Sequence, residues 1–206
     1  MATYPLTQAP NWKLSGAGAG LLGASAPIQA TYAQGASNGS QPALSNVLQA
    51  DATQKFRIGS TVLFTDETYG EVEAIYLKGV ASLQQYDACR IDTAQGTPVS
   101  VTRLITTNDA TMAGPVAVAL SNPNATQFGW FAIRGKVPVS SSGSCVINES
   151  IAASGTAGQV TDASDTLDTQ GNIIGASCRT ADGSPSGGTA AGYTDVQLSY
   201  PSCWEK

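Results

Sequence analysis

Between residues 114 and 139 the apolar and polar positions fall into two strand-like runs joined by a polar turn. Val116, Val118 and Leu120 alternate with Ala117 and Ala119, and Ser121-Asn122-Pro123-Asn124 supplies turn chemistry. Beyond the turn, Phe128, Trp130 and Ala132 take one face of the second run, and Phe131 and Ile133 take the other. Gly129 and Gly135 stand where a strand would bend or admit a second backbone. A run this apolar on both faces predicts a strand covered on both sides, at the centre of one β-rich domain.

The rest of the pattern agrees with that centre. Residues 56–65 and 71–77 alternate around the turn-forming stretch Asp66-Glu67-Thr68-Tyr69-Gly70, which predicts a hairpin. Further strands are expected over 86–91, 99–106, 144–151, 171–179 and 193–200, separated by Gly, Asp, Asn and Ser clusters. No long segment has helical periodicity. Strands about ten residues apart predict an all-β fold, a β-barrel or sandwich body spanning residues 55–206. Residues 1–54 differ: between Lys13 and Asp51 no residue is charged, and Gly, Ala and Ser dominate. This reads as an extended, mostly irregular N-terminal arm. Composition alone fits a flexible linker, but an arm so poor in large side chains can be ordered only by contacts outside itself. A neighbouring subunit would supply them, with Leu14, Leu21, Leu22, Ile28, Tyr32, Leu44, Val47 and Leu48 as anchors.

Composition narrows the function. A chain of 206 residues can bury roughly 70% of its unfolded surface, enough for a real core. Charged residues make up 12%, against a usual figure of about 25%. A surface of hydroxyls, amides and small apolar groups can dry against another protein at little desolvation cost. Ten basic residues, scattered singly under a net charge of −5, argue against nucleic acid, which needs clustered Lys and Arg. The neutral arm is interrupted by Pro27, Pro42 and many polar residues, so no membrane span is expected. Lys13 ahead of the weakly apolar AGLLGASA stretch is too little for a signal peptide. The sequons at Asn38, Asn124 and Asn148 then carry no weight.

Candidate chemistry is sparse. Histidine is absent, which removes the commonest general base, the commonest metal ligand and every Ser-His or Cys-His pair. The carboxylate groupings Asp66/Glu67 and Glu71/Glu73 read as a turn and a solvated strand face. The Asp162, Asp165, Asp168 ladder lacks the Gly and terminal Glu of a calcium loop. No catalytic residue, metal site or cofactor is assigned. Cys89, Cys145, Cys178 and Cys203 include no C-x-x-C pair; buried, reduced thiols are the leading reading and one or two disulfides the alternative. Phe128, Trp130 and Phe131 could form a sugar platform, but their alternation places them in a core or subunit interface. Trp204 suits a docking anchor or a terminal lid equally.

The phrases TYGEVEAIYLKGVAS (residues 68–82) and QFGWFAIRGKVPV (residues 127–139) resemble strands of the capsid decoration, or cement, proteins of tailed bacteriophages. The similarity covers about residues 56–178. It implies a non-enzymatic β body, commonly a homo-oligomer and a trimer, on the outer surface of an icosahedral head, with the major capsid protein as partner and neither nucleic acid nor membrane bound. The alternative is a glycan- or receptor-binding module of a fibre or bacterial surface protein; a repeating fibre should show a sequence period, and none is evident. An enzyme stands third, because no catalytic constellation survives.

Overall fold

The computed structural model describes residues 13–14, 49–66, 68–94, 97–105, 113–143, 145–163, 171–186 and 191–204. These are all-β, with no helix among them. The strands are β1 (Lys13–Leu14), β2 (Thr61–Asp66), β3 (Gly70–Lys78), β4 (Ala88–Ala94), β5 (Thr97–Arg103), β6 (Gly114–Ala119), β7 (Phe128–Ser140), β8 (Ser150–Ala153), β9 (Val160–Asp162), β10 (Asn172–Cys178) and β11 (Tyr193–Trp204). They hydrogen-bond in the order β1-β2-β3-β5-β4-β6-β7-β11-β10-β8-β9, with β3–β7 and β6–β11 as additional pairings.

The β3–β7 pairing closes a cycle of five strands, β3-β5-β4-β6-β7. Its inside is one apolar cluster drawn from all five: Ile75 and Leu77, Cys89 and Ile91, Val101, Ala117 and Ala119, and Phe131. Side chains one position away face outward into the larger core, which includes Val72, Ala74, Tyr76, Val116, Val118, Leu120, Trp130 and Ala132. Trp130 is the hub of an aromatic group there, with ring centroids 5.0 Å from Tyr76, 5.2 Å from Phe56 and 5.7 Å from Phe64. A second cycle runs β7-β11-β10-β8-β9 and closes through the bridge from Val160 to Ser141, just past the end of β7.

Strand β7 belongs to both cycles. Its first half pairs with β3 and β6, and residues 134–140 pair with β11. The register against β3 slips between Glu73↔Arg134 and Ala74↔Ala132, so β7 carries one extra residue, a β-bulge. The slip inverts the alternation. Even-numbered Trp130 and Ala132 face the larger core before it, and odd-numbered Val137 and Val139 face the same core after it. Gly135 follows the bulge at φ 105°, where an added Cβ would sit 2.9 Å from Val72 Cα and collide with the Glu71 carbonyl oxygen.

The expected faces of β7, the 66–70 turn and the hairpin it joins are all present, the turn closed by Asp66 Oδ1 accepting from Thr68 and Tyr69 N–H. Three details differ. Residues 56–60 form a turn, with Ser60 N–H donating to Arg57 O, and the strand begins at Thr61. The stretch expected as a strand over 144–151 is mostly another turn, because Asn148 adopts φ 67° and Glu149 N–H donates to Val146 O; β8 starts at Ser150. The short β9 was not anticipated, three residues being too few to display a period. Of the expected arm, Lys13 and Leu14 pair with Thr65 and Phe64 of β2, and the other proposed anchors lie outside the described residues. Asp51, ahead of the expected boundary, is already fastened to the body. It exchanges backbone hydrogen bonds with Phe128, and its carboxylate meets Tyr76 Oη at 2.8 Å and Lys55 Nζ at 2.6 Å.

Replacing Gly135 with Ala forces a Cβ into backbone at a φ that L-residues avoid. It should destabilise the fold by about 2–4 kcal/mol, measured by urea unfolding, with an unchanged slope if only stability is lost.

Candidate functional site

Ionisable side chains are few enough for each cluster among the described residues to be judged on its geometry. One buried cluster is built around Asp87, which precedes β4 and is 2% exposed. Its Oδ2 accepts from Gln84 N–H at 2.8 Å and lies 2.7 Å from Arg103 Nε at the end of β5. The Arg103 N–H is poorly aligned to the carboxylate, so this contact is chiefly coulombic. Arg103 Nη2 donates to Ala157 O at 2.6 Å, in the turn between β8 and β9. Gly158 of the same turn (φ 83°) closes over the carboxylate, where an added Cβ would lie 2.7 Å from Asp87 Oδ2. The Gly158 carbonyl accepts from Ala88 N–H, and its N–H donates to Leu104 O. This ion pair therefore bolts the first cycle of strands to the second. Burial raises the Asp87 pKa, and the Gln84 N–H and Arg103 oppose the rise. With the Gly158 backbone over it, Asp87 has no open approach for a substrate proton.

A second cluster is open to solvent. Glu71 and Glu73 on β3 share a strand face, as the alternation requires, and both lie beside Arg134 at the β7 bulge, at 4.0 and 3.8 Å. Tyr200 donates its hydroxyl to Glu73 Oε2 at 2.7 Å. Tyr200 occupies left-handed backbone (φ 48°) within β11 and is 58% exposed, as is Ile174, whose strand β10 pairs alongside and shifts register between Ile174 and Ala176. The shift throws both side chains outward. An exposed Tyr held by a carboxylate beside an Arg is the residue combination that anchors protein and ligand contacts. The hydrogen bond to Glu73 raises the Tyr200 pKa. Ion pairs this exposed add little to stability, about 0–1 kcal/mol, so the cluster is a surface feature rather than a stabilising one.

The remaining expected positions are dispersed. Asp66 caps its turn, and Glu67 lies outside the described residues, as do Asp165 and Asp168. Asp162 is buried on β9. Asp195 is also buried, its Oδ2 accepting from Ser186 N–H at 2.9 Å. Among the described residues no three His, Cys, Asp or Glu side chains are grouped to hold a metal ion. Trp130 and Phe131 are core residues and Phe128 packs against the larger core, stacked on Tyr76, so they form no platform. Trp204 ends β11, with its side chain outside the described residues. All four cysteines are buried thiols. Burial raises the pKa of Cys89. The Asp87–Arg103 pair escaped the sequence reading because its members are far apart along the chain; the available signal was an Asp directly ahead of a strand. Tyr200 escaped because it continues the alternation of β11, and only the bulge turns it outward.

Two outcomes follow from the ionisable groups. A carboxyl whose pKa is raised on folding favours the fold while protonated. Wild type should therefore lose stability relative to Asp87→Asn as pH rises from the ordinary carboxylate range, about 4, through the raised value. Unfolding midpoints across that range measure it. In Glu73→Gln the carboxylate that holds the phenol proton is gone, so Tyr200 should ionise at lower pH than in wild type, read from its ring-carbon NMR shift.

Set against protein-family models, curated proteins and solved structures, the chain gives no match in any of the three.

Proposed function

We propose that this chain is a structural virion protein that decorates and stabilises the outer surface of a tailed-bacteriophage capsid as a homo-oligomer, a trimer by resemblance, with the major capsid protein as its partner. The observation that carries this reading is the placement of the two family-like phrases. Although separated by some fifty residues of chain, they lie side by side as β3 and β7, paired from Glu73↔Arg134 to Lys78↔Phe128. The two phrases that carry the resemblance thus form one continuous structural unit of this chain.

Surface character supports the same reading. Val146, Ile147, Ile174 and Tyr200 are large apolar side chains at least half exposed on a protein with few charges. A lattice contact built from such groups is individually weak, and repetition over many copies makes it strong. A protein that binds only the assembled lattice stabilises it by mass action.

The exposed Tyr200 ring, with Glu73 and Arg134 beside it, favours one second reading, a glycan- or receptor-binding module, because such a ring can stack on a pyranose.

Deleting residues 1–48, which leaves the Asp51 fastening intact, should give a folded body that no longer sediments with undecorated heads. Heads carrying full-length protein should hold packaged DNA to higher temperature than heads mixed with the truncated chain. Native mass spectrometry of the full chain should show an oligomer. If neither form binds heads while Tyr200→Ala abolishes retention on a glycan array, the second reading replaces the first.

A further inference from the structure

Cys145 and Cys178 come from different parts of the second cycle and are buried in one apolar cluster. Residues 146–149 form a turn, with Asn148 in left-handed backbone and Glu149 N–H donating to Val146 O. The turn folds back on the end of β10: Asn148 N–H donates to Cys178 O at 2.9 Å, and Cys178 N–H donates to Glu149 O at 3.0 Å. Arg179 Nη1 holds Asn148 Oδ1 at 3.3 Å, and Asp182 N–H donates to Cys145 O at 3.3 Å, so the segment bearing Cys145 is fixed from both sides. The two thiols perturb each other's protonation, and Thr194 Oγ1 lies 4.0 Å from the Cys178 sulfur. Both thiols are almost wholly covered, but Cys145 adjoins Val146 and Ile147, which are half exposed. Cys89 belongs to the separate cluster inside the first cycle.

We propose that Cys145 and Cys178 are a built disulfide site, closed when the protein meets an oxidising small-molecule disulfide such as oxidised glutathione. One protein thiolate attacks a sulfur of that disulfide and expels one glutathione thiolate. The second protein thiolate then attacks the mixed disulfide and expels the other. The two thiol protons end on the two released glutathiones, so the protein loses two hydrogens and the oxidant is reduced. Their mutual interaction lowers the Cys178 pKa, which favours the thiolate the exchange needs, and raises that of Cys145. The bond would tie the turn before β8 to the end of β10, closing a long loop of the second cycle. This inference is independent of the capsid reading. It selects, for one pair, the disulfide alternative over the reduced thiols that the sequence favours.

The test is incubation of the full-length chain with oxidised glutathione, alkylation of remaining thiols and peptide mapping. The expected result is a Cys145–Cys178 linked peptide, Cys89 still alkylated, and a melting temperature higher than under reductant by on the order of 10 °C. Cys178→Ser should abolish that shift, and Cys89→Ser should keep it. Recovery of both Cys145 and Cys178 as alkylated thiols after prolonged oxidation overturns the proposal, as does linkage of either to Cys89 or Cys203. The map is made on the unaltered chain, so it stands even if a Ser variant fails to fold.

Discussion

Everything in this fold depends on one strand that must be dry on both faces and serve two closed cycles in turn. Strand β7 supplies Phe131 to the inside of the first cycle and Trp130 and Ala132 to the larger core. After one extra residue at the bulge it supplies Val137 and Val139 to that larger core again. Burying a Trp and two Val side chains is worth several kcal/mol, since each large apolar side chain removed from water contributes about 1.5–3 kcal/mol. A strict alternation through residue 140 would have turned those valines away from that core. The bulge, and the Gly135 that makes room for Glu71 and Val72 beside it, are what let one strand satisfy both cycles.

Two buried carboxylates in this interior are held by several partners each. Asp87 is tied to Gln84, Arg103 and the Gly158 turn, and Asp51 to Tyr76 and Lys55. Burial raises the pKa of the Tyr76 phenol, so it stays a hydrogen-bond donor to Asp51 at any physiological pH. Two of these contacts join segments distant in sequence: Asp51 to Tyr76 of β3, and Asp87 through Arg103 to the turn before β9. Buried charge of this kind stabilises little in sum, but it penalises any register that separates the partners, which is how it selects one arrangement.

The faces of β7 were legible in the sequence because dense alternation leaves little freedom. Phe128, Trp130 and Ala132 could share a side only if Phe131 and Ile133 took the other, and Gly129 and Gly135 had to answer a close approach. Strands β2, β3, β10 and β11 were legible for the same reason, each bounded by turn residues. The inserted residue was not: Gly135 marked a bend without showing that the register slips, and that slip decides that Val137 joins Trp130, as the separate shift between β10 and β11 decides that Tyr200 points to solvent. Residues 144–151 misled because Val146 and Ile147 resemble a strand while the chain turns at Asn148. The Asp87–Arg103 pair and the Cys145–Cys178 pair were invisible because no local pattern encodes which distant partners a closed topology brings together. The dispersed carboxylates were read as turn and surface residues, which describes Asp66, Glu71 and Glu73 but not the buried Asp162.

Sharing β7 has a consequence for how the protein comes apart. No cut along the chain leaves both cycles with all their walls, since β7 pairs with β3, β6 and β11, and β6 reaches β11 as well. Melting of either half strips β7 of the partners that hold one end of it. The two closed cycles, which look like separable lobes, should therefore behave as a single cooperative unit, and the amides of β7 should exchange with solvent only when the whole molecule opens.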